Sequence, residues 1–215
     1  GNQLVSQGFF EILANSLTTP AYTKLSSQLK EEHNVTILNP LSNDLSIMRQ
    51  SLIFSGLENL VFNINRQQLD LKLFEFGKTY HNFDERKEEF NHLSILLTGN
   101  KSEKSWNSNK TEVDYFYLKG IVKGVLDRLG IKKFKSFPLS NDILNEGQQL
   151  NVGKHSIVEF GSLKTIALTP FGISQKVFCA NFNWDNLIKV INQNTIKFKD
   201  ISKYPEVKRD LSLLI

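Results

Sequence analysis

The apolar residues of this chain change their period several times, and the segments they define do not alternate strictly between strand and helix. Residues 113–131, VDYFYLKGIVKGVLDRLGI, set Leu118, Ile121, Val122, Val125, Leu126 and Leu129 on one face, with Lys119, Lys123 and Asp127 opposite. That repeat predicts a helix, with Gly130 as its C-terminal stop. Gly120 and Gly124 fall four residues apart and predict a close approach by another element. The segments LDLKLFEFGKTYHN (69–82), NHLSILLTGN (91–100), KKFKSFPL (132–139), LNVGKHSIVEFGSLK (150–164) and QKVFCANF (175–182) read instead as strands. Gly99-Asn100 marks a turn, Gly153-Lys154 a hairpin, and Gly77 a bulge within its strand. Strands and helices mixed in this way predict an α+β fold with a largely antiparallel sheet.

Other segments complete the pattern. Leu4, Val5, Phe9, Ile12 and Leu13 fall on one helical face and predict a helix over 4–16. Val35 to Leu38 reads as a short strand stopped by Asn39-Pro40. In 51–66, Ile53, Leu57, Leu60, Val61 and Ile64 form a helical stripe, with Phe54 and Phe62 off it. A helix apolar on more than one side is buried on more than one side, which makes this one a candidate interface helix. Asn183 is a plausible N-cap for a short helix in NWDNLIKVINQN.

With 215 residues, 40% hydrophobic and 22% charged, the chain has room for an ordinary core. Its 16 phenylalanines read mainly as core. A net charge of +4 is only mildly basic and does not demand a nucleic-acid partner. The single cysteine, Cys179, sits in an apolar strand and fits a reduced, cytoplasmic setting. No apolar run approaches the ~18 residues of a membrane-spanning helix, and no signal peptide is visible. The first residue is Gly1, the only methionine is Met48, and the chain ends on an apolar run from Leu211 to Ile215 that reads as a strand without partners. These features predict a piece excised from a longer protein.

The chemistry-bearing residues exclude more than they support. The 12 glycines are scattered and never form G-x-G, so no phosphate-cradling loop is present. His33, His81, His92 and His155 are isolated, which leaves no zinc-ligand spacing. No G-x-S-x-G elbow occurs. His92 opens a strand and reads as structural. The run Asp84, Glu85, Arg86, Lys87, Glu88, Glu89 reads as a solvated loop between two strands. Glu75 differs, because it lies in the apolar strand KLFEFG and needs a buried partner; Arg49 or Arg66 would supply it. Basic residues interleave with aromatics in KKFKSF and IKFKDISKY, a pattern that also suits RNA.

Several segments, taken in order, resemble the β-subunit family of bacterial phenylalanine–tRNA ligase. They are GFFEI (8–12), LNPLS (38–42), MRQSLIFSGLENLVFNINRQ (48–67), LKLFEFGKTY (71–80), LLTG (96–99), VDYFYLKGIVKGVL (113–126) and KYPEVKRDLSLL from Lys203. Residues from about 132 to 195 match only loosely. The resemblance implies a class II aminoacyl-tRNA synthetase-like antiparallel sheet flanked by helices, over residues 1–200. Residues 201–215 would be the linker and first strand of a truncated ferredoxin-like anticodon-binding domain.

Active class II synthetases clamp ATP phosphates with one arginine on a strand and another in a glycine-rich motif. Here the strand LFEFG offers Glu75 in place of an arginine, and the glycine-rich motif is absent. The resemblance therefore implies a non-catalytic domain with no catalytic, cofactor or metal residues of its own. The ATP, Mg2+ and tRNA of the parent heterotetramer would be handled elsewhere in the complex. Its partners would be the catalytic α subunit and other β-subunit domains, with no membrane. The interface candidates are Arg49, Ile53, Phe54, Leu57, Leu60, Val61, Phe62 and Ile64. Alternative readings are an RNA-binding module and a degenerate ATP-using ligase domain.

Overall fold

A computed structural model describes residues 1–83, 86–102, 106, 110–193, 200 and 203–212. The chain opens with one helical turn, α1 (Asn2–Ser6), not with a helix to residue 16. Gly8 adopts φ 83 and turns the backbone out of the helix. Phe9 then donates back to the Leu4 carbonyl at 3.1 Å, so Leu4 and Phe9 are buried together. Leu13 is left 93% exposed, which ends the apolar stripe that the spacing predicted. The chain continues as β1 (Phe10–Glu11).

A small ribbon follows, pairing β2 (Leu17–Thr18) with β3 (Ile47–Met48). Between them the backbone makes 3-10 turns, including Pro20–Leu25, which Thr19 caps through its hydroxyl. The predicted strand Val35–Leu38 does not form; only Thr36 bridges to Ile47. Leu38 is exposed, so nothing packs to fix a strand there.

Next come α2 (Ile53–Ile64), β4 (Leu71–Phe83) and β5 (Arg86–Thr98). The two strands pair without a break from Leu71↔Thr98 to Phe83↔Arg86. Gly77 faces His92 in this ladder and makes no bulge. Arg86 to Glu89 belong to β5 rather than to a solvated loop, because a long hairpin can carry charges on its exposed end, where Lys78 pairs with Glu89 at 2.7 Å. Asp84 and Glu85 lie outside the described residues. His92 likewise sits within β5 and does not open it.

The strongest helical period becomes α3 (Tyr115–Arg128). Asp114 caps it by accepting from the Tyr117 amide at 2.7 Å, and Gly130 ends it at φ 75. Gly124 meets Gln3 of α1, whose amide donates to the Gly124 carbonyl at 3.0 Å, whereas Gly120 faces open space. The chain then forms β6 (Lys135–Leu139), β7 (Leu144–Val152), β8 (His155–Leu163), the short α4 (Thr165–Leu168), β9 (Val177–Asn183) and α5 (Trp184–Gln193). Gly153 forms the β7–β8 turn at φ 59, and the Asn183 side chain caps α5 by accepting from the Asn186 amide at 2.9 Å.

Seven strands make one sheet, ordered β1-β4-β5-β9-β8-β7-β6. All neighbours are antiparallel except β1 and β4. One face packs Phe74, Ile95, Phe160 and Phe182 against α1, α3 and α5. The other packs Leu71, Leu73, Leu96 and Val177 against α2 and α4. Residues 203–212 are exposed and form no strand; the rest of the predicted terminal strand, 213–215, lies outside the described residues.

Candidate functional site

The α2 face of the sheet carries a polar row within its apolar surround. Glu75 on β4 pairs with Ser94 on β5, Ser94 with Asn181 on β9, and Asn181 with Glu159 on β8. Paired residues in an antiparallel ladder point to the same side, so four strands hold these side chains in register.

Glu75 takes its charge partner from the end of β3. Arg49 Nη1 lies 2.7 Å from Glu75 Oε1, and both side chains are almost fully buried. Arg49 Nε donates to the Lys78 carbonyl at 3.0 Å, and its backbone carbonyl accepts from Tyr80. Space for the guanidinium comes from Gly77, where any Cβ would run into Arg49 and lie 3.1 Å from Glu75 Oε1. Close approach, rather than a bulge, is thus the reason for glycine in this strand. Burial pushes the Glu75 carboxyl above the ordinary carboxylate range, and the Arg49 charge pulls against that shift. The other predicted partner, Arg66, stacks on the Phe62 ring at 3.4 Å.

Beside this pair the row borders a cleft of about 300 Å3. Its floor includes Thr79, His81, His92 and Asn181, and its walls come from Gln50, Ser51, Ile53, Asn141, Ile143 and Leu144. The Thr79 hydroxyl lies 3.1 Å from His92 Nε2 and 3.2 Å from His81 Nε2. Burial, with help from the neighbouring His33 and His92, lowers His81 to about 4. Burial lowers His92 as well, against the pull of Asp185. Both imidazoles are therefore neutral at pH ~7. Burial raises Glu159, and no ion pair or hydrogen bond engages it among the described residues. The Cys179 thiol is buried and pushed up to about 12, which removes it as a nucleophile.

Among the described residues, no lysine or arginine lines the cleft. The one nearby guanidinium, Arg49, is committed to Glu75. Chemically the cleft can accept hydrogen bonds and neutralise a cation, but it has no fixed positive charge for a phosphate. Among the described residues, no group of three or more His, Cys, Asp or Glu side chains could hold a metal ion.

The structure brings most of the interface candidates into the chain's own core. Arg49, Ile53, Phe54, Leu57 and Leu60 are buried within it. Phe54, which the period set off the stripe, packs on Tyr22 at 5.1 Å and Phe171 at 6.2 Å. The second apolar side of α2 is thus covered largely by this chain's own segments 20–29 and 167–171. Val61 and Ile64 are half-buried, and Phe62 is 55% exposed beneath Arg66. Asn181 and Glu159 were not singled out from the sequence, and His81 reads there as an isolated histidine, whereas the fold brings it and His92 to one Thr79 hydroxyl. The signal available was weak: a polar residue at an inward position of a period-two strand reads the same as one facing water.

A largely antiparallel seven-stranded sheet with helices on both faces is a class II aminoacyl-tRNA synthetase-like fold. Two solved structures show the likeness: Desulfitobacterium hafniense PylSc, a pyrrolysyl tRNA synthetase, and a second structure of that organism's pyrrolysyl-tRNA synthetase. They superpose with TM-scores of 0.68 and 0.66 at 16% and 15% identity, each over 89% of this chain and 66% of theirs. Sequence narrows the class. The phenylalanyl tRNA synthetase beta chain CLM domain matches residues 1–184, and the chain belongs to that family. The phenylalanine–tRNA ligase beta subunit of Bacteroides thetaiotaomicron is 39% identical over 99% of this chain, and that of Fusobacterium nucleatum 36% over 91%. The chain spans 27% and 25% of those proteins' lengths. Among the described residues, no helix is long and apolar enough to cross a membrane.

Proposed function

We propose that this chain is the non-catalytic, synthetase-like domain of a phenylalanine–tRNA ligase β subunit, and that it holds the catalytic α subunit in place. The observation that carries the reading is the missing cation. Adenylate chemistry needs fixed positive charge on the triphosphate; among the described residues no lysine or arginine lines this cleft, and Arg49 is locked on Glu75. ATP, Mg2+ and tRNA then belong to the assembled complex, which works in the cytoplasm. Residues 1–200 are the scaffold unit, and 201–215 lead into an anticodon-binding domain.

The contact on α2 is reduced to its uncovered strip of Val61, Phe62 and Ile64. Co-purification of the chain with the cognate α subunit, beside ATP binding by the chain alone, tests the reading. Stable association without ATP binding is expected, and Phe62→Ser should weaken it. Measurable ATP affinity of the chain alone would defeat the proposal.

A second reading, RNA contact, has one observation in its favour. The approach to the sheet-edge strand β6 exposes Phe134 and Phe137 beside Lys132, Lys133 and Lys135. That arrangement predicts tRNA affinity that falls steeply with salt. The other basic–aromatic segment, from Ile196, lies mostly outside the described residues.

A further inference from the structure

The cleft beside the polar row has a composition that selects a ligand. Its volume, about 300 Å3, falls at the small end of ligand pockets and is far above the ~30 Å3 share of one water. Leu29, Ile53, Phe90, Ile143 and Leu144 supply an apolar surround. Among the described residues Glu159 is the one carboxylate lining the cleft, no lysine, arginine or aspartate lines it, and the two histidines are neutral. It has no partner among the described residues.

Glu159 stands opposite Asn181 in the β8–β9 ladder, where cross-strand Cβ atoms lie about 4.5–5.5 Å apart. We propose that this cleft binds a small organic molecule bearing a protonated primary amine on an apolar body, with Glu159 as counter-charge.

Stoichiometry and charge both point this way. A primary ammonium has three N–H donors and no acceptor. The two Glu159 carboxylate oxygens accept two of them, and the carboxylate offers no donor to compete. A half-buried carboxylate without a partner costs free energy, and burial has raised the Glu159 carboxyl accordingly. A cation entering the cleft offsets that cost and favours the ionised form. Anionic ligands meet the opposite situation, because their charge would face Glu159 with no cation to balance it. The inference shares with the scaffold proposal the lack of a lining lysine or arginine, but it does not need the scaffold role, and amine binding is read separately from ATP binding.

The test is a titration followed by methyl NMR on the full-length polypeptide that carries this chain, with the Ile53, Ile143, Leu144 and Leu29 methyls as reporters. The probes are isopentylamine, its uncharged isostere isopentanol, and isovalerate. The expected result is saturable shifts at these methyls with isopentylamine, an affinity about tenfold or more tighter than isopentanol (~1.4 kcal/mol), and no shifts with isovalerate. Glu159→Gln should abolish the advantage of the amine and leave isopentanol unchanged. Three results would overturn the proposal: equal affinity for amine and alcohol, an amine preference that survives Glu159→Gln, or no saturable shift at ~10 mM amine. If the variant does not fold, the amine–alcohol comparison on the natural sequence decides alone.

Discussion

Gly77→Ala probes the buried charge pair with one methyl group. The new Cβ would occupy the space of the Arg49 guanidinium and sit 3.0 Å from Leu52 Cδ2. A flexible side-chain end can normally swing away. Arg49 cannot do so freely, because it is held by Glu75 at 2.7 Å and by the Lys78 carbonyl at 3.0 Å. Displacing it leaves Glu75 buried without compensation, and breaking such a pair costs about 3–5 kcal/mol. Higher strand propensity of alanine returns only a few tenths, so a net loss of about 3 kcal/mol is expected. In urea, with a slope of about 1–3 kcal/mol/M, the midpoint should fall by roughly 1 M or more.

Trp184 reports the transition, since its ring meets Phe76 edge-on at 5.0 Å, while Trp106 is exposed throughout. The same substitution in an Arg49→Met/Glu75→Leu background should cost less than about 1 kcal/mol, because the charge it strands is gone. The pH dependence has a definite sign. Glu75 titrates above its unfolded value, so its ionisation erodes stability as pH rises from the unfolded value through the folded one. Without Arg49 the upward shift grows, and the cost of Gly77→Ala should shrink as pH falls into the ordinary carboxylate range. A loss within about 0.5 kcal/mol, or an equal loss in both backgrounds, would refute the reasoning.

Other substitutions test other parts of the fold. Leu57→Ala, at a fully buried position of α2, should cost about 2–5 kcal/mol by urea denaturation. Asp114→Ala removes the N-cap of α3 and should cost about 1 kcal/mol. The Lys101 ammonium, 2.6 Å away, and the Tyr117 amide hold Asp114 below its usual value. Its contribution is therefore present above the unfolded value and lost as pH falls through the folded one, a loss that Asp114→Ala should abolish in midpoint-against-pH curves. Cys179, buried with its thiol at about 12, should resist iodoacetamide at pH ~8 in the native protein and react at the rate of opening as urea is added.

Local period carried the helix over Tyr115–Arg128 and most of the sheet from β4 on, because each rests largely on contacts within one segment or its sequence neighbour, but it failed at Val35–Leu38, where Leu38 stays exposed. The N-terminal helix was misread for a specific reason. Leu4, Phe9 and Ile12 do have helical spacing, but Gly8 turns the chain and β1 pairs with β4, sixty-odd residues later in the chain. The apolar breadth of α2 was legible, but what covers it was not. Tyr22 and Phe171 come from segments distant in sequence, and no periodicity announces where they will meet. Glu75 was identified because a carboxylate in an apolar strand demands a partner. Glu159 escaped because it alternates with Val158 and Phe160, as a solvent-facing residue would.

These two carboxylates stand in one row across four strands, yet the chain treats them differently. At the β4 side, Gly77 clears room for Arg49, whose guanidinium reaches Ser55 of α2 as well as Glu75, so the charge is neutralised within the fold. At the β8 side no cation follows, and the surface stays open as a cleft. The internal pair accounts for a retained guanidinium without invoking phosphate chemistry. A sheet whose only purpose was packing would favour apolar residues at both positions, since replacing a buried pair by well-packed apolar groups is often neutral or stabilising. The closed half of the row therefore explains how the domain holds itself together. The open half is the part of this face still able to meet something from outside, and its one unbalanced charge selects for a cation.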